Sequence, residues 1–227
     1  MSTEKTYFDK IAEYGQLIVI SGPNGVGKNT VIRQYLSEHP IACRSISVTT
    51  REPRPGEEDG KDYFFISVTE FDQLVRSQAL LEHVYIDNNG YGTPRKAVEE
   101  NRKEGRNVIL NVDVMGAMKI RALCPDATLI FMIPPSWAEL ERRVRASTSL
   151  TDQEIKEYLE CAEEDILCAS QYDYVLINDE VDKTVRRMGQ IIHGNRYSRN
   201  NMKSFLESYI QSELKPHSEF ADAILSM

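Results

Sequence analysis

The stretch "GPNGVGKNT", residues 22–30, combines residue types and a spacing that could do chemistry on phosphates. Two glycines and a lysine, Gly22, Gly27 and Lys28, follow the apolar run "LIVIS" and open a helical pattern, which is the context of a phosphate-binding loop. Glycines let the backbone turn its N–H groups around phosphate oxygens, and the helix N-terminus adds a favourable dipole. Lys28 is predicted to reach the β- and γ-phosphates of a nucleoside triphosphate. The predicted phosphate-binding residues are Gly22, Pro23, Asn24, Gly25, Val26, Gly27, Lys28, Asn29 and Thr30.

One position of this loop departs from the usual pattern. Ser or Thr normally follows the lysine and offers a hydroxyl to Mg²⁺, whereas here Asn29 comes first and Thr30 second. An asparagine can offer its carbonyl oxygen, a neutral hard ligand that magnesium tolerates. The predicted cofactor is Mg²⁺, with Asn29 and Thr30 as its ligands.

The elements that must position this loop alternate along the chain. Short apolar runs separated by helical patterns predict an α/β fold, with a parallel sheet flanked by helices on both faces. In such a fold the loops after the strands share one edge of the sheet. The predicted strands are 16–21, 45–50, 107–113, 127–133 and 174–178, and the predicted helices are 28–38, 69–77, 94–104, 114–123, 136–145, 152–169 and 180–193.

Three stretches do not follow that alternation. Residues 47–93 are rich in Pro, Gly, Tyr and charge and predict an inserted, partly β lobe, and the small polar stretch 146–152 suits a mobile flap within a lid at about 142–160. The extension 195–227 contains a helical pattern that either packs on its own core or forms a dimer contact. Its apolar face comprises Phe205, Leu206, Tyr209, Ile210 and Leu214. We expect a single domain over 1–227, with a core at about 16–46 and 94–194.

Composition restricts the class of protein. The chain of 227 residues is 41% hydrophobic and 27% charged, as expected of a globular protein. Its net charge of −8 argues against a general nucleic-acid or membrane-surface binder. We see no signal peptide and no apolar run of spanning length. The four cysteines form no metal-like cluster, which favours reduced thiols and a cytoplasmic location.

The stretch "SVTTREPRPGEEDGKDYFF", residues 47–65, together with the phosphate loop, resembles the guanylate kinase family. Further similar stretches are "LLEHVYIDNNGYGTP" (80–94), "VILNVDVMGA" (108–117), "IFMIPPSWAELERRV" (130–144) and "YDYVLINDE" (172–180), so the resemblance runs from about 16 to 193. It implies a P-loop kinase core, an inserted GMP-binding lobe and a small lid. The implied reaction passes a phosphate from ATP to GMP or dGMP with Mg²⁺, in a monomer or a homodimer.

The residues of the inserted lobe suit that implied acceptor. Arg51 and Arg54 can bind a phosphate dianion bidentately, while Tyr63 and Tyr91 can add phenolic donors. The carboxylate of Glu82 can accept from both the N1–H and the N2 amino group of guanine. The GMP-binding residues that the resemblance implies are Ser47, Arg51, Arg54, Glu57, Tyr63, Glu82, Tyr91, Gly92, Thr93 and Asp113.

Several positions depart from the family's pattern where charge should gather around the transferring phosphate. Asn111 stands where the family has Asp, and Ser147 and Tyr158 stand where it has arginines of the lid. Lys28, Arg143 and Arg145 are the predicted catalytic residues. Arginines of this kind can contribute about 10³–10⁵ in rate, so the departures bear directly on turnover.

Three functions are compatible with these residues. The first is a guanylate kinase or a close nucleoside-monophosphate kinase. The second is a ribose 1,5-bisphosphate phosphokinase, whose members can lack Ser or Thr after the loop lysine; the intact 49–63 block and Glu82 argue against it. The third is a catalytically weak or inactive guanine-nucleotide-binding module, which would account for Asn29, Asn111, Ser147 and Tyr158 together; Lys28 argues against it.

Overall fold

The computed structural model describes residues 14–147 and 151–214. The predicted flap residues 148–150, the first 13 residues and the end of the predicted extension, 215–227, lie outside the described residues. The strands are β1 Leu17–Ser21, β2 Ala42–Arg44, β3 Val48–Thr49, β4 Phe64–Phe65, β5 Leu80–Ile86, β6 Asn89–Pro94, β7 Asn107–Asn111, β8 Thr128–Ile133 and β9 Tyr174–Ile177. The α-helices are α1 Lys28–Glu38, α2 Val68–Arg76, α3 Arg95–Lys103, α4 Val114–Leu123, α5 Trp137–Ser147, α6 Asp152–Leu167, α7 Val181–Asn195 and α8 Lys203–Tyr209. A 3₁₀ turn spans Cys168–Gln171 and a π turn spans Ile210–Leu214.

A parallel five-stranded sheet forms the centre of the molecule, in the order β2-β7-β1-β8-β9. Every residue of β1 is buried, because the strand lies between β7 and β8 and carries apolar side chains toward both faces. Residues that alternate along β1 therefore belong to two cores: Leu17 and Val19 to one, Ile18 and Ile20 to the other. The predicted α/β fold with a parallel sheet flanked by helices is confirmed.

A second sheet of four short strands, in the order β4-β3-β6-β5, is built from the inserted stretch. The predicted continuous strand over 45–50 is wrong, because the chain changes sheets there. Residues 42–44 pair with β7 in the central sheet, whereas Val48 and Thr49 pair with β6 in the second one. Val48 is buried against Phe71 and Leu80 in a small core of its own.

The hairpin β5–β6 dominates this second sheet. Its tip, Asp87–Asn88, has positive φ angles of 49° and 63°, as a tight two-residue turn requires. The antiparallel register brings Glu82 opposite Thr93, with both side chains buried. The hairpin thereby positions two polar side chains that belong to the predicted acceptor site.

The predicted lid, about 142–160, falls on a helical pair, α5 and α6, which pack through Leu140, Val144, Ile155 and Ala162. A capping box at Thr151 begins α6, since its side chain and that of Glu154 satisfy each other's backbone N–H groups.

In the extension, Leu206 and Tyr209 are exposed and Phe205 and Ile210 are half-buried; the side chain of Leu214 is not described. None of the helices in the described part of the chain has both the length and the apolar character to span a membrane.

Candidate active site

The phosphate loop joins β1 to α1, and its backbone conformation needs glycine. Gly22 has a φ of 142° and Gly27 a φ of 99°, which L side chains rarely adopt. A Cβ atom on Gly22 would stand 2.2 Å from the carbonyl oxygen of Met132, and one on Gly27 would stand 2.6 Å from Nδ2 of Asn178. The loop is therefore packed against the ends of β8 and β9. Among its other residues, Pro23 and Val26 are buried and Asn24 is exposed.

Lys28 folds back over this loop. Its Nζ donates to the carbonyl oxygen of Gly22 and, at 3.0 Å, to that of Pro23. Burial lowers the pKa of Lys28 to about 8, and the carboxylates of Asp165 and Asp113 act in the opposite direction. The ammonium group thus occupies the loop in contact with carbonyl oxygens, which are the kind of acceptor that phosphate oxygens can replace.

Asn29 and Asn111 contact each other beside the loop. Nδ2 of Asn111 donates to Oδ1 of Asn29 at 2.8 Å, while Thr30 is exposed on the next helical position. The side-chain oxygens of Asn29, Asn111 and Thr30 are neutral and are of the kind that can act as metal ligands. Among the described residues there is no cluster of three or more His, Cys, Asp or Glu side chains suited to a metal. The set fits an ion that arrives with its phosphates and keeps several waters, as Mg²⁺ does.

Two side chains support the loop from the strand and helix next to it. Asn178, at the end of β9, donates to the carbonyl oxygen of Val26 at 2.7 Å, and Arg143 of α5 donates to the same oxygen at 3.2 Å. Sequence reasoning did not single out Asn178, although a polar residue that ends an apolar strand was a usable signal. It also missed Asp165 of α6, whose negative charge acts to raise the pKa of Lys28.

The structure does not bring Arg145 to the loop. Its guanidinium pairs with Glu141 at 2.9 Å and with Asp152 at 2.6 Å, so it connects α5 to the beginning of α6. The predicted catalytic role of Arg145 is untested in this arrangement, whereas Lys28 and Arg143 both contact the loop.

A buried polar pocket lies next to the loop, between the hairpin and α4. Oε1 of Glu82 accepts from the hydroxyl of Thr93 at 2.7 Å, and Asp113 begins α4 by accepting from the N–H of Gly116 at 2.7 Å. A Cβ on Gly116 would stand 3.1 Å from Oε2 of Glu82 and 3.0 Å from Oδ1 of Asp113. Burial raises the pKa of Glu82; Asp113 raises it further, and the Thr93 hydroxyl and Lys119 lower it. The pocket therefore offers one buried carboxylate, that of Glu82, and one half-buried carboxylate, that of Asp113, as acceptors.

The arginines of the inserted stretch contact Glu57 and the aromatic side chains near it. Arg51 forms two bonds to the carboxylate of Glu57, at 2.8 and 3.0 Å, and its guanidinium carbon lies 5.4 Å from the ring centroid of Tyr63. That carboxylate raises the pKa of Arg51, and Arg51 lowers the pKa of Glu57. Glu57 also accepts from the backbone N–H of Arg54 at 2.7 Å. Glu57 is thus brought together with the predicted phosphate binders as the group that holds Arg51.

The other predicted acceptor residues are close by. The rings of Tyr63 and Tyr91 meet edge to face, with centroids 6.1 Å apart. Gly92 is buried opposite β5, where a Cβ would stand 2.6 Å from Cδ1 of Leu80. Ser47 is half-buried, and its carbonyl oxygen accepts from the N–H of Phe64 at 2.9 Å.

Comparison with known proteins decides the family. The family model described as guanylate kinase matches residues 14–195. The chain belongs to the guanylate kinase family. The guanylate kinase of Trichodesmium erythraeum (strain IMS101) is 42% identical over 178 residues, covering 78% of this chain and 96% of that protein. The guanylate kinase of Clostridioides difficile (strain 630) is 36% identical over 200 residues, covering 88% of this chain and 98% of the relative.

A solved structure agrees with this assignment. The crystal structure of guanylate kinase from Anaplasma phagocytophilum superposes with a TM-score of 0.70 at 32% identity, covering 86% of this chain and 95% of that one. The resemblance seen in the sequence is confirmed. The last residues of α7 mark the end of the guanylate kinase match, so α8 and the π turn lie outside it.

Proposed function

We propose that this chain is an ATP:GMP phosphotransferase, which converts ATP and GMP, or dGMP, to ADP and GDP or dGDP. One observation carries the proposal: Asp113 connects the two sites. Its carbonyl oxygen accepts from the hydroxyl of Ser21, directly before the phosphate loop, at 3.4 Å, and a Cβ on Gly116 would stand 3.0 Å from its Oδ1 and 3.1 Å from Oε2 of Glu82. A triphosphate on the loop and a base in the pocket would therefore meet at one edge of the sheet. Its relatives' name, guanylate kinase, supports the same substrates.

The buried pocket suits a guanine base. Guanine presents two adjacent donors, N1–H and the N2 amino group, and a carboxylate is the acceptor that matches both. Oε1 of Glu82 accepts a hydrogen bond from the Thr93 hydroxyl, and Oε2 lies on the Gly116 side of the pocket. Adenine lacks this donor pair, so we expect discrimination against AMP from an unpaired buried carboxylate.

Arg51 and Arg54 suit the monophosphate of the acceptor. Arg51 is held in place by Glu57, whereas the Arg54 guanidinium makes no hydrogen bond or ion pair within 14–147 and 151–214. Two guanidinium groups would neutralise the phosphate dianion and lower its repulsion from the incoming triphosphate. An oxygen of the acceptor phosphate then forms a bond to the γ-phosphorus as the bond from that phosphorus to the β,γ-bridging oxygen breaks.

The residues of the loop supply charge and alignment for that transfer. The ammonium group of Lys28 would exchange its carbonyl contacts for β- and γ-phosphate oxygens, and Arg143 would add a guanidinium from the lid side. Asn29, Thr30 and Asn111 would hold Mg²⁺ through neutral side-chain oxygens, and the ion would neutralise phosphate charge when it is bound. Closure of lid and inserted lobe would exclude water, so that the phosphoryl group reaches GMP.

The cysteines bear on where the protein works. Within the described residues Cys43, Cys124, Cys161 and Cys168 are all free thiols. Free thiols are typical of a reducing compartment, which supports a cytoplasmic location.

A coupled ADP-release assay tests the proposed reaction. Wild-type protein with ATP and Mg²⁺ is offered GMP, dGMP, AMP, UMP, CMP and ribose 1,5-bisphosphate, and calorimetry measures GMP binding on the same sample. We expect turnover with GMP and dGMP only. The variant Arg54→Ala should raise the KM for GMP at least about 10-fold, because a hydrogen-bonded charge pair is lost. Arg76→Ala, at the exposed end of α2, is the matched control and should leave the KM unchanged. Preference for another acceptor would refute the proposal.

A further inference from the structure

The first turn of α5 places one carboxylate beside two arginines. The helix begins at Trp137, and the hydroxyl of Ser136 accepts from the backbone N–H of Glu139 at 3.2 Å, which fixes the start of the helix. Arg142 and Arg143 follow Glu139 by three and four residues, so the three side chains share one face of α5. The helix therefore presents the carboxylate of Glu139 to two guanidinium groups.

Both arginines bind this carboxylate. Oε1 of Glu139 accepts from Nε of Arg143 at 2.8 Å and from Nη2 of Arg142 at 2.7 Å, and Oε2 accepts from Nε of Arg142 at 2.7 Å. These hydrogen bonds lower the pKa of Glu139 to about 2, so the carboxylate is ionised at neutral pH. The two arginines differ in exposure, because 66% of the Arg142 side chain is exposed and only 20% of the Arg143 side chain.

The guanidinium of Arg143 also contacts two other segments of the chain. Nη1 donates to the carbonyl oxygen of Val26 in the phosphate loop at 3.2 Å, and Nη2 donates to the carbonyl oxygen of Asp179, after β9, at 3.5 Å. Each of its nitrogens therefore has an acceptor. Because a guanidinium is planar and its N–H directions are fixed, the bond from Nε to Glu139 determines where Nη1 points.

The carbonyl group of Val26 is a point at which the loop conformation can be set. It accepts from Nδ2 of Asn178 at 2.7 Å as well as from Arg143, and the side chain of Val26 is fully buried. In a planar trans peptide the C=O and the next N–H point in opposite directions. Holding this C=O therefore directs the N–H of Gly27 away from Arg143 and Asn178. Backbone N–H groups of such a loop are the groups that phosphate oxygens bind.

We propose that Glu139 is a positioning residue of the triphosphate site, which orients Arg143 and, through it, the Val26–Gly27 peptide of the phosphate loop. This inference rests on the triphosphate site of the function proposed above and does not depend on which acceptor is phosphorylated. Removing the Glu139 carboxylate should weaken triphosphate binding about 10-fold, the scale of one hydrogen bond to a charged group. GMP binding should be unchanged, because the pocket around Glu82 is built from the hairpin and α4.

A double-mutant cycle in the full chain tests whether Glu139 acts through Arg143. Calorimetry measures the binding of GMP and of the β,γ-imido analogue of ATP with Mg²⁺ to each variant. We expect Glu139→Ala and Arg143→Ala each to weaken binding of the analogue about 10-fold, and the double variant to bind no more weakly than either. In an Arg142→Ala background, Glu139→Ala should still weaken binding about 10-fold.

A conservative variant and a matched control complete the set. In Glu139→Gln the amide oxygen can accept from Nε of Arg143 in place of Oε1, so its affinity for the analogue should lie closer to wild type than that of Glu139→Ala. Glu160→Ala removes an exposed carboxylate of α6 that pairs with Lys156 at 3.8 Å, and it should change neither affinity.

The outcomes separate this inference from the proposed reaction. The role of Glu139 is refuted if Glu139→Ala binds the analogue like wild type, or weakens binding equally when Arg143 is already alanine. Equal loss of GMP and analogue binding, or a Gln variant as weak as the Ala variant, would also contradict orientation of Arg143. A wild type that binds the analogue without phosphorylating GMP overturns the proposed reaction alone, since the cycle is read from binding. If wild type does not bind the analogue, both fail.

Discussion

Replacing Glu82 by glutamine tests the buried pocket with the smallest change of shape. In the structure Glu82 is 6% exposed, and Oε1 accepts from the Thr93 hydroxyl at 2.7 Å. The amide oxygen of Gln can keep that contact, whereas the amide NH₂ would replace the carboxylate oxygen nearest Gly116. An acceptor would thus become a donor at the point where the guanine donors are proposed to bind.

The size of the effect follows from the bonds lost. Hydrogen bonds to a charged group contribute about 1.5–3 kcal/mol each, and a donor facing a donor adds to the loss. A net loss of about 3 kcal/mol corresponds to roughly a 100-fold weaker interaction with GMP. The ATP site should be spared, because the loop contacts of Lys28 do not involve Glu82.

Steady-state kinetics with both substrates measure this prediction. We expect Glu82→Gln to raise the KM for GMP roughly 100-fold with an unchanged KM for ATP, and Glu99→Gln, an exposed glutamate of α3, to behave like wild type. A KM for GMP within about 3-fold of wild type would refute the assignment of Glu82 as the base-reading carboxylate.

The same variant has an independent signature in stability. Because burial raises the pKa of Glu82 above its unfolded value of 4.5, the native chain keeps this proton to higher pH than the unfolded chain does. Wild type should therefore lose stability as the pH rises from 4.5 through the raised folded value, and Glu82→Gln should lose less. Urea unfolding at a series of pH values measures how the free energy of unfolding depends on pH for each protein. Parallel curves for wild type and Glu82→Gln would show that burial does not raise the pKa of Glu82.

Three further predictions concern the phosphate loop. Because burial lowers the pKa of Lys28 to about 8, kcat/KM for ATP should fall as the pH rises through that value. A profile that stays flat to pH 10 would contradict this. Asn111→Asp adds a carboxylate next to the loop, so the Mg²⁺ concentration for half-maximal activity should fall several-fold in a magnesium titration. If that concentration is unchanged, Asn111 does not belong to the metal site. Gly27→Ala should lower the free energy of unfolding by about 2 kcal/mol, since its Cβ would stand 2.6 Å from Asn178 at a φ of 99°. Gly194→Ala, with open space around it, should be neutral or stabilising by about 0.5 kcal/mol in the same urea titration.

The helices and buried strands of the core could be predicted because their signals are local. The helices at 28–38 and 114–123 have the bounds that the sequence predicted, since a phosphate loop and an Asp N-cap mark their first turns. The run "SISVTT" misled the prediction at 45–50, because an alternating pattern does not show which sheet a residue joins. The pairing of Val48 and Thr49 with β6, and the burial of Val48 against Phe71, reveal that the chain has entered the lobe.

The sequence identified candidate residues for the site, and the structure shows which neighbouring groups each of them contacts. The resemblance singled out Glu57 as a GMP contact, yet its carboxylate is occupied by Arg51 and by the N–H of Arg54. Arg145 is drawn away from the loop by Glu141 and Asp152. Such competition among neighbouring charges depends on distances between segments, and spacing along the chain does not encode them.

The attachment of the inserted lobe has a consequence for how such enzymes can diversify. The chain leaves the core after β2 through the three residues 45–47 and re-enters it where β6 runs directly into α3. Both connections adjoin β7: the N–H of Ser45 bonds to the carbonyl oxygen of Ile109, and α3 packs on that strand. The two covalent connections of the lobe therefore lie side by side, although β5 also packs against the core through Leu81. Evolution or an engineer could exchange the lobe, and with it the acceptor, while the triphosphate loop on β1 stays as it is.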